Sequence, residues 1–167
     1  MNITLRALTV VGVLALTTPA QAESISIQRL KEALASTGTT VVYRKCGPEH
    51  ARMQGFYEFD KQQKLDQITV CTNNVDVSAD RFHWEVLAHE ATHAVQICKE
   101  GETLFVPEEH PSILREIREY APHYDEILRT RYTGTQRVKE LEAFWMELQP
   151  QDDVIDYIAN ACKSDNQ

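Results

Sequence analysis

The sequence is short of basic residues for its length. Its 167 residues include 17 Lys and Arg against 25 Asp and Glu, which gives a formal net charge of −8 at pH 7. A surface with this balance repels phosphate groups, and no stretch of the chain collects its basic residues into a stripe. We therefore expect neither nucleic acid nor an anionic membrane as a partner.

Long hydrophobic runs are missing after residue 16, and so are repeats and low-complexity tracts. No later stretch reaches the roughly 18 apolar residues that a membrane span needs, so no membrane span is expected. Glycine and proline are scarce, with six of each, and no linker divides the chain. The composition is that of a globular protein, and we expect one domain over residues 23–167.

The first 22 residues have the pattern of a secretory signal peptide. Arg6 precedes a ten-residue apolar run, residues 7–16, which is too short to cross a bilayer. Ala20 and Ala22 then form an Ala-x-Ala cleavage pattern, so removal after Ala22 would leave 145 residues. The alternative is a buried amino-terminal helix. We expect an exported protein, either periplasmic or secreted.

The order of predicted elements is strands first and helices after, apart from one short amphipathic helix at residues 25–34. The strands are expected at residues 40–44, 55–59 and 65–71, the last two pairing as an antiparallel hairpin. The later helices are expected at residues 81–99, with Asp80 as the N-cap, and at 111–120, 122–131, 136–149 and 151–162. This order is typical of an α+β domain.

Four cysteines lie after the signal peptide, which predicts two disulfides in an oxidising compartment. No two cysteines have the C-x2-C spacing that a zinc–thiolate site favours. Cys46 follows the first predicted strand and Cys71 ends the third, so we favour a Cys46–Cys71 bridge across the sheet edge. That pairing leaves Cys98 and Cys162 for the second bridge.

The predicted helix at residues 81–99 carries the motif His89-Glu90-Ala91-Thr92-His93. Histidines four residues apart lie on one helical face, where both imidazoles can bind one Zn²⁺ ion. Glu90 is positioned to act on a water bound to that ion as a general base. The alternative is a pair of histidines on a solvated helix face. The first interpretation requires one Zn²⁺ per chain as cofactor.

A catalytic zinc site needs a third protein ligand from elsewhere in the chain. A metzincin would continue with Gly at position 96 and His at position 99, but this chain has Gln96 and Lys99. Arg137 occupies the position where an aspzincin would have its Asp. The remaining option is a glutamate on a later helix, where Glu140 and Glu142 are both candidates.

The combination of His89-Glu90-x-x-His93 with Glu140-x-Glu142-Ala143 resembles the gluzincin pattern of short bacterial zincin domains, the minigluzincin-like metallopeptidases. The resemblance covers about residues 40–149. In that group the ligand glutamate is followed three residues later by Ala or Ser, which implies Glu140 as the ligand and Glu142 as the alternative. Four residues after the ligand glutamate, these families often have a small polar residue, but this chain has Phe144. Another residue must therefore hydrogen-bond a ligand histidine.

The resemblance also implies a zincin-like fold, with a small antiparallel or mixed sheet, an active-site helix and a mostly helical carboxyl-terminal half. It places the strand at residues 65–71 alongside the substrate cleft. The implied activity is hydrolysis of peptide bonds, in which Glu90 takes a proton from the zinc-bound water. A further donor would stabilise the oxyanion, with Tyr120, His123 and Tyr132 as candidates.

The expected partner is therefore a peptide or protein substrate. Two other functions stay open. The first is a zincin-fold binding module without proteolytic activity, because 145 residues leave little room for a lobe that recognises a substrate. The second is a zinc amidase that acts on a cell-wall component. The sequence does not indicate an oligomeric state.

Overall fold

A computed structural model describes residues 24–162, which form a small three-stranded sheet and six α-helices. The predicted signal peptide, residues 1–22, lies outside the described residues. The helices are α1 (Ile25–Thr37), α2 (Asp80–Cys98), α3 (His110–Tyr120), α4 (Pro122–Arg131), α5 (Gly134–Glu147) and α6 (Gln151–Ala161), and the strands are β1 (Thr40–Arg44), β2 (Gly55–Asp60) and β3 (Leu65–Cys71). The predicted α+β class, with a mostly helical carboxyl-terminal half, is confirmed.

The helices α2, α3 and α5 each begin one or two residues earlier than the sequence suggested. Asp80 is the first residue of α2 and the extended Ala79 precedes it as the N-cap, so Asp80 does not cap the helix. Similarly, α5 begins at Gly134 because the chain is extended only up to Thr133. These differences are confined to the first turn of the helix.

The sheet is mixed, with the strand order β1-β3-β2. β2 and β3 are antiparallel, as predicted, while β1 runs parallel to β3. The expectation that residues 65–71 lie along the cleft is wrong. Because β1 and β2 pair with both edges of β3, β3 is the central strand, and it is β2 that borders the large cavity described below.

The core forms where α1, α2 and α6 pack with the sheet. Ser24 caps the start of α1, where its hydroxyl accepts a hydrogen bond from the backbone N–H of Ile27, and Gly38, whose φ of 96° favours glycine, caps its end. A smaller apolar cluster joins α3, α4 and α5 around Ile117 and Leu128. Trp145 of α5 contacts both clusters, so α5 connects the two parts of the core.

The start of β2 lies unusually close to α2. A Cβ atom at Gly55 would lie 2.6 Å from Val86 Cγ1 and 3.3 Å from Glu90 Cγ. Only glycine permits this approach without a shift of the helix or the strand. As a result, β2 begins directly beside Glu90 of the sequence motif.

Two disulfides cross-link the fold, in the pairing favoured from the sequence. Cys46–Cys71 joins the segment after β1 to the end of β3, and Cys98–Cys162 joins the end of α2 to the end of α6. In residues 24–162, no helix combines the length and apolar character required to cross a membrane.

We expect the Cys98–Cys162 bridge to stabilise the protein more than the Cys46–Cys71 bridge, because it closes a loop of 64 residues rather than 25. On the chain-entropy estimate, the paired Cys98→Ser and Cys162→Ser substitutions lower the free energy of unfolding by about 4 kcal/mol, and those at Cys46 and Cys71 by about 3.5 kcal/mol. Urea unfolding of both double variants checks this. The reverse order would contradict the loop-length argument.

Candidate metal centre

His89 and His93 lie one turn apart on α2, and both side chains line a cavity of about 630 Å³. Glu140 reaches the same point from α5. The two imidazole Nε2 atoms are 3.2 Å apart, and the carboxylate oxygens of Glu140 lie 3.3 Å from His89 Nε2 and 3.7 Å from His93 Nε2. Three donor atoms from two helices therefore converge.

The spacing of these atoms fits a single metal ion. Tetrahedral ligands bonded at about 2.0–2.1 Å lie about 3.3 Å from one another, close to the separations found here. Two imidazole nitrogens and one carboxylate oxygen form a donor set that suits zinc. The group of His89, His93 and Glu140 could hold a metal ion.

Hydrogen bonds on the far side of each imidazole fix its orientation. His89 Nδ1–H donates to Glu147 Oε1 at 2.7 Å, and His93 Nδ1–H donates to Gln96 Oε1 at 2.8 Å. With Nδ1 as the donor in both rings, both Nε2 atoms are directed toward Glu140, where each would offer a lone pair to a bound metal ion. Glu147 also accepts a hydrogen bond from the Tyr124 hydroxyl. Glu147 and Gln96 thus provide the hydrogen bonds to His89 and His93 that the apolar side chain of Phe144 cannot form.

The orientation of Gln96 is itself determined by its amide nitrogen. Gln96 Nε2 donates to Glu142 Oε2 at 2.9 Å and to the carbonyl oxygen of Lys139 at 3.1 Å. Both contacts require a donor, so the amide oxygen must face His93. The chain Glu142–Gln96–His93 therefore connects a buried carboxylate to the candidate metal centre.

Glu142, the alternative third ligand, lies outside the candidate metal centre. Its fully buried carboxylate accepts hydrogen bonds from the backbone N–H groups of Leu104 and Phe105 and from His110 Nε2, in addition to Gln96. These donors satisfy the charge and tie the segment after α2 to α5. Glu142 therefore has a structural role, while Glu140 faces the histidines.

Glu90 is buried beside His89 and lines the same cavity. Burial raises the pKa of Glu90 to about 7, although the charge of His89 and a backbone hydrogen bond from Tyr57 act in the opposite direction. A carboxyl group with this pKa can take up and release a proton near neutral pH. The side chain therefore has the property expected of a general base.

The two histidines have opposite pKa shifts. Burial, assisted by the charge of His89, lowers the pKa of His93 to about 4, so its Nε2 keeps a free lone pair at neutral pH. Burial also lowers the pKa of His89, but hydrogen bonds to Glu140 and Glu147 outweigh it and raise the pKa well above the usual value. A metal ion binding here would displace that proton.

Only one of the three predicted oxyanion donors lies in the cavity. Tyr132 lines it, and burial together with the neighbouring charge of Glu140 raises the pKa of its hydroxyl. Tyr120 is 70% exposed at the end of α3, and His123 is exposed on the first turn of α4. Neither lines the cavity, so the structure does not bring either of them to the candidate metal centre.

Three residues of the site were not anticipated from the sequence: Gln96, Tyr124 and Glu147. Two of them had a signal in their spacing. Glu147 lies seven residues after Glu140, so both side chains lie on the same face of α5. Gln96 lies three residues after His93, on the same face of α2. Tyr124 had no such signal, because it depends on how α4 packs.

We expect Glu142→Gln to lower the free energy of unfolding by about 3 kcal/mol, because an amide would replace acceptor capacity that buried N–H donors now use. Urea unfolding measures the change. Glu116→Gln is the matched control, since Glu116 accepts one hydrogen bond, from Trp145 Nε1, which an amide oxygen can also accept. The Glu116→Gln substitution should lower the free energy of unfolding by less than about 1 kcal/mol. Equal costs for the two variants would contradict this role for Glu142.

Comparison with curated proteins and with solved structures finds no match to this chain. One family model does match, over residues 41–162, a span that contains the candidate metal centre and both disulfides. Because the match covers well over half of the sequence, the chain belongs to the family described as a domain of unknown function, DUF8637.

Proposed function

We propose that this protein is an exported zinc-dependent metallopeptidase. The observation that carries the proposal is the convergence of His89, His93 and Glu140, whose donor atoms lie 3.2–3.7 Å apart, beside the buried carboxyl group of Glu90. A metal-binding group, a general base and an open cavity are the parts that metal-assisted hydrolysis needs. His89, His93, Glu140 and Glu90 all line the same cavity.

Export is supported by two independent features. The sequence of residues 1–22 predicts a signal peptide, and residues 24–162 contain two disulfides with no free cysteine. Disulfides persist in the periplasm and outside the cell, whereas thiols stay reduced in the cytosol. Both features favour a protein that works in the periplasm or in the medium.

His89, His93 and Glu140 would hold the metal ion. Zinc, when bound, supplies Lewis acidity that polarises a carbonyl group and lowers the pKa of a water molecule. Glu90 would accept a proton from the attacking water on its carboxylate. It would then transfer that proton to the amine nitrogen that leaves, which restores the carboxylate for the next cycle.

Tyr132 would assist from the other side of the cavity. Burial and the neighbouring charge of Glu140 raise the pKa of its hydroxyl, so the hydroxyl stays protonated and would donate to the oxygen that gains charge as water attacks the carbonyl. Glu147 and Gln96 would keep the Nε2 atoms of the two histidines directed at the metal ion throughout.

The mature protein should bind one zinc ion per chain, measured by titration against a chromophoric chelator. Glu140→Gln should weaken zinc binding by more than about a hundredfold, because it removes a ligand. Gln96→Leu should weaken it by about tenfold, because His93 loses the partner that orients it.

Glu102→Gln, a change of an exposed glutamate between α2 and α3, is the control and should leave zinc affinity unchanged. Zinc binding that survives Glu140→Gln at full strength would overturn the assignment of the third ligand. A parent protein that binds no zinc would overturn the proposal as a whole.

Glu90→Gln should retain zinc and lower kcat for peptide hydrolysis by about a thousandfold, since Glu90 moves the proton but is not a ligand. Release of fluorescence from internally quenched peptides measures the rate, and chelator titration verifies the zinc content. Undiminished hydrolysis in this variant would contradict the mechanism.

The same assay should include cell-wall fragments with amide bonds alongside the peptides. Zinc-dependent turnover of the fragments alone would replace the peptidase proposal with that of a zinc amidase. Zinc binding without turnover of either class would favour a binding module.

A further inference from the structure

Three basic residues line the cavity around the candidate metal centre: Arg52, Arg131 and Lys139. None of the three forms an ion pair with another residue in the range 24–162, although acidic residues outnumber basic ones in the chain by 25 to 17. Outside the cavity, Arg29, Arg118 and Arg129 have carboxylate partners, although the exposed Arg115 has none among the described residues. The cavity thus carries three basic side chains that no described carboxylate neutralises.

The acidic residues of the same cavity are engaged within the protein. Glu85 pairs with Arg81 at 2.8 Å, while Glu140 and Glu147 contact His89. Glu90 is buried. The carboxylates therefore lie at the floor of the cavity or are neutralised, whereas the basic groups remain available to a ligand.

The basic residues come from both walls of the cavity. α2 forms the floor and contacts β2 on one side and α5 on the other. Arg52 belongs to the segment that leads into β2, while Arg131 and Lys139 directly precede Tyr132 and Glu140 on the α4–α5 side. A chain bound across the candidate metal centre would meet a positive charge on each side.

We propose that the cavity selects peptides with carboxylate side chains next to the cleaved bond, an inference that rests on the proposed peptidase function. A cleft with low-dielectric walls focuses the field of its charges and raises the local concentration of ligands of opposite sign. Each basic residue at this degree of exposure should contribute up to about fivefold in affinity.

Binding is tested separately from hydrolysis with the zinc-loaded Glu90→Gln protein. The probes are two fluorescein-labelled peptides of equal length, one alternating Glu with Ala and the other alternating Gln with Ala, followed by fluorescence anisotropy. We expect the Glu peptide to bind at least about fivefold more tightly, and about 1 M salt to abolish the difference. Equal affinities at low salt would overturn the selectivity.

Variants then locate the charges responsible. Arg131→Gln and Arg52→Gln, each made in the Glu90→Gln background, should each reduce the preference for the Glu peptide, by up to about fivefold. Arg115→Gln is the matched control, because Arg115 is exposed on α3 and forms no ion pair with a described residue. If the Arg115→Gln protein lost the preference for the Glu peptide to the same extent, the overall charge of the protein would explain the preference. That result would overturn the role of the cavity.

Hydrolysis of the same two peptides by the native zinc-loaded protein separates the two proposals. Cleavage of both peptides at equal rates would overturn the selectivity and leave the peptidase function standing. A preference for the Glu peptide in binding, with neither peptide hydrolysed, would uphold the selectivity and count against the peptidase function.

Discussion

The contact between α2 and α5 determines both the core and the candidate metal centre. On α2, His89, His93 and Gln96 follow one another at intervals of four and three residues, so they form one stripe along the helix. On α5, Glu140, Phe144 and Glu147 repeat the same intervals. Each stripe faces the other, which pairs histidines with carboxylates along the length of the contact. Apolar residues on the remaining faces of both helices supply the packing that holds them together.

This arrangement brings several carboxyl groups into a largely buried region, which is unfavourable unless each is compensated. Glu142 is compensated fully by N–H donors. Burial raises the pKa values of Glu90 and Glu147, which indicates that neighbouring groups of the protein do not fully compensate the negative charges of these two carboxylates. A divalent cation between His89, His93 and Glu140 would balance this charge, and the electrostatics therefore agree with the geometry.

Local structure could be predicted closely from the sequence, because local signals control it. The first helix forms where it was predicted and extends three residues further, to Thr37, and the alternating apolar residues of β2 and β3 produced the expected hairpin. The motif at residues 89–93 identified the helix that carries the site. The strand order could not be predicted, since nothing in residues 40–44 indicates that β1 pairs with β3 in parallel.

Side-chain environments that depend on tertiary packing were predicted less well. Nothing in the sequence around His83 and His110 indicates their environment: His83 is buried against Tyr43, and His110 bonds to Glu142. Tyr120 and Tyr124 lie close together in the sequence, but only Tyr124 reaches the cavity, because α3 and α4 present different faces to α5. The orientation of a helix is set by the contacts of its apolar face, and those contacts join segments far apart in the chain.

The two disulfides also determine what happens when the backbone is cut. The Cys98–Cys162 bridge closes a loop that contains α3, α4 and α5, and the Cys46–Cys71 bridge closes a loop that contains β2. A proteolytic nick inside either loop leaves the two fragments covalently joined. Glu140, Glu147 and Tyr132 all lie within the larger loop, so a nicked chain retains every residue of the candidate metal centre. In a compartment that contains peptidases, this linkage prolongs the lifetime of the folded site.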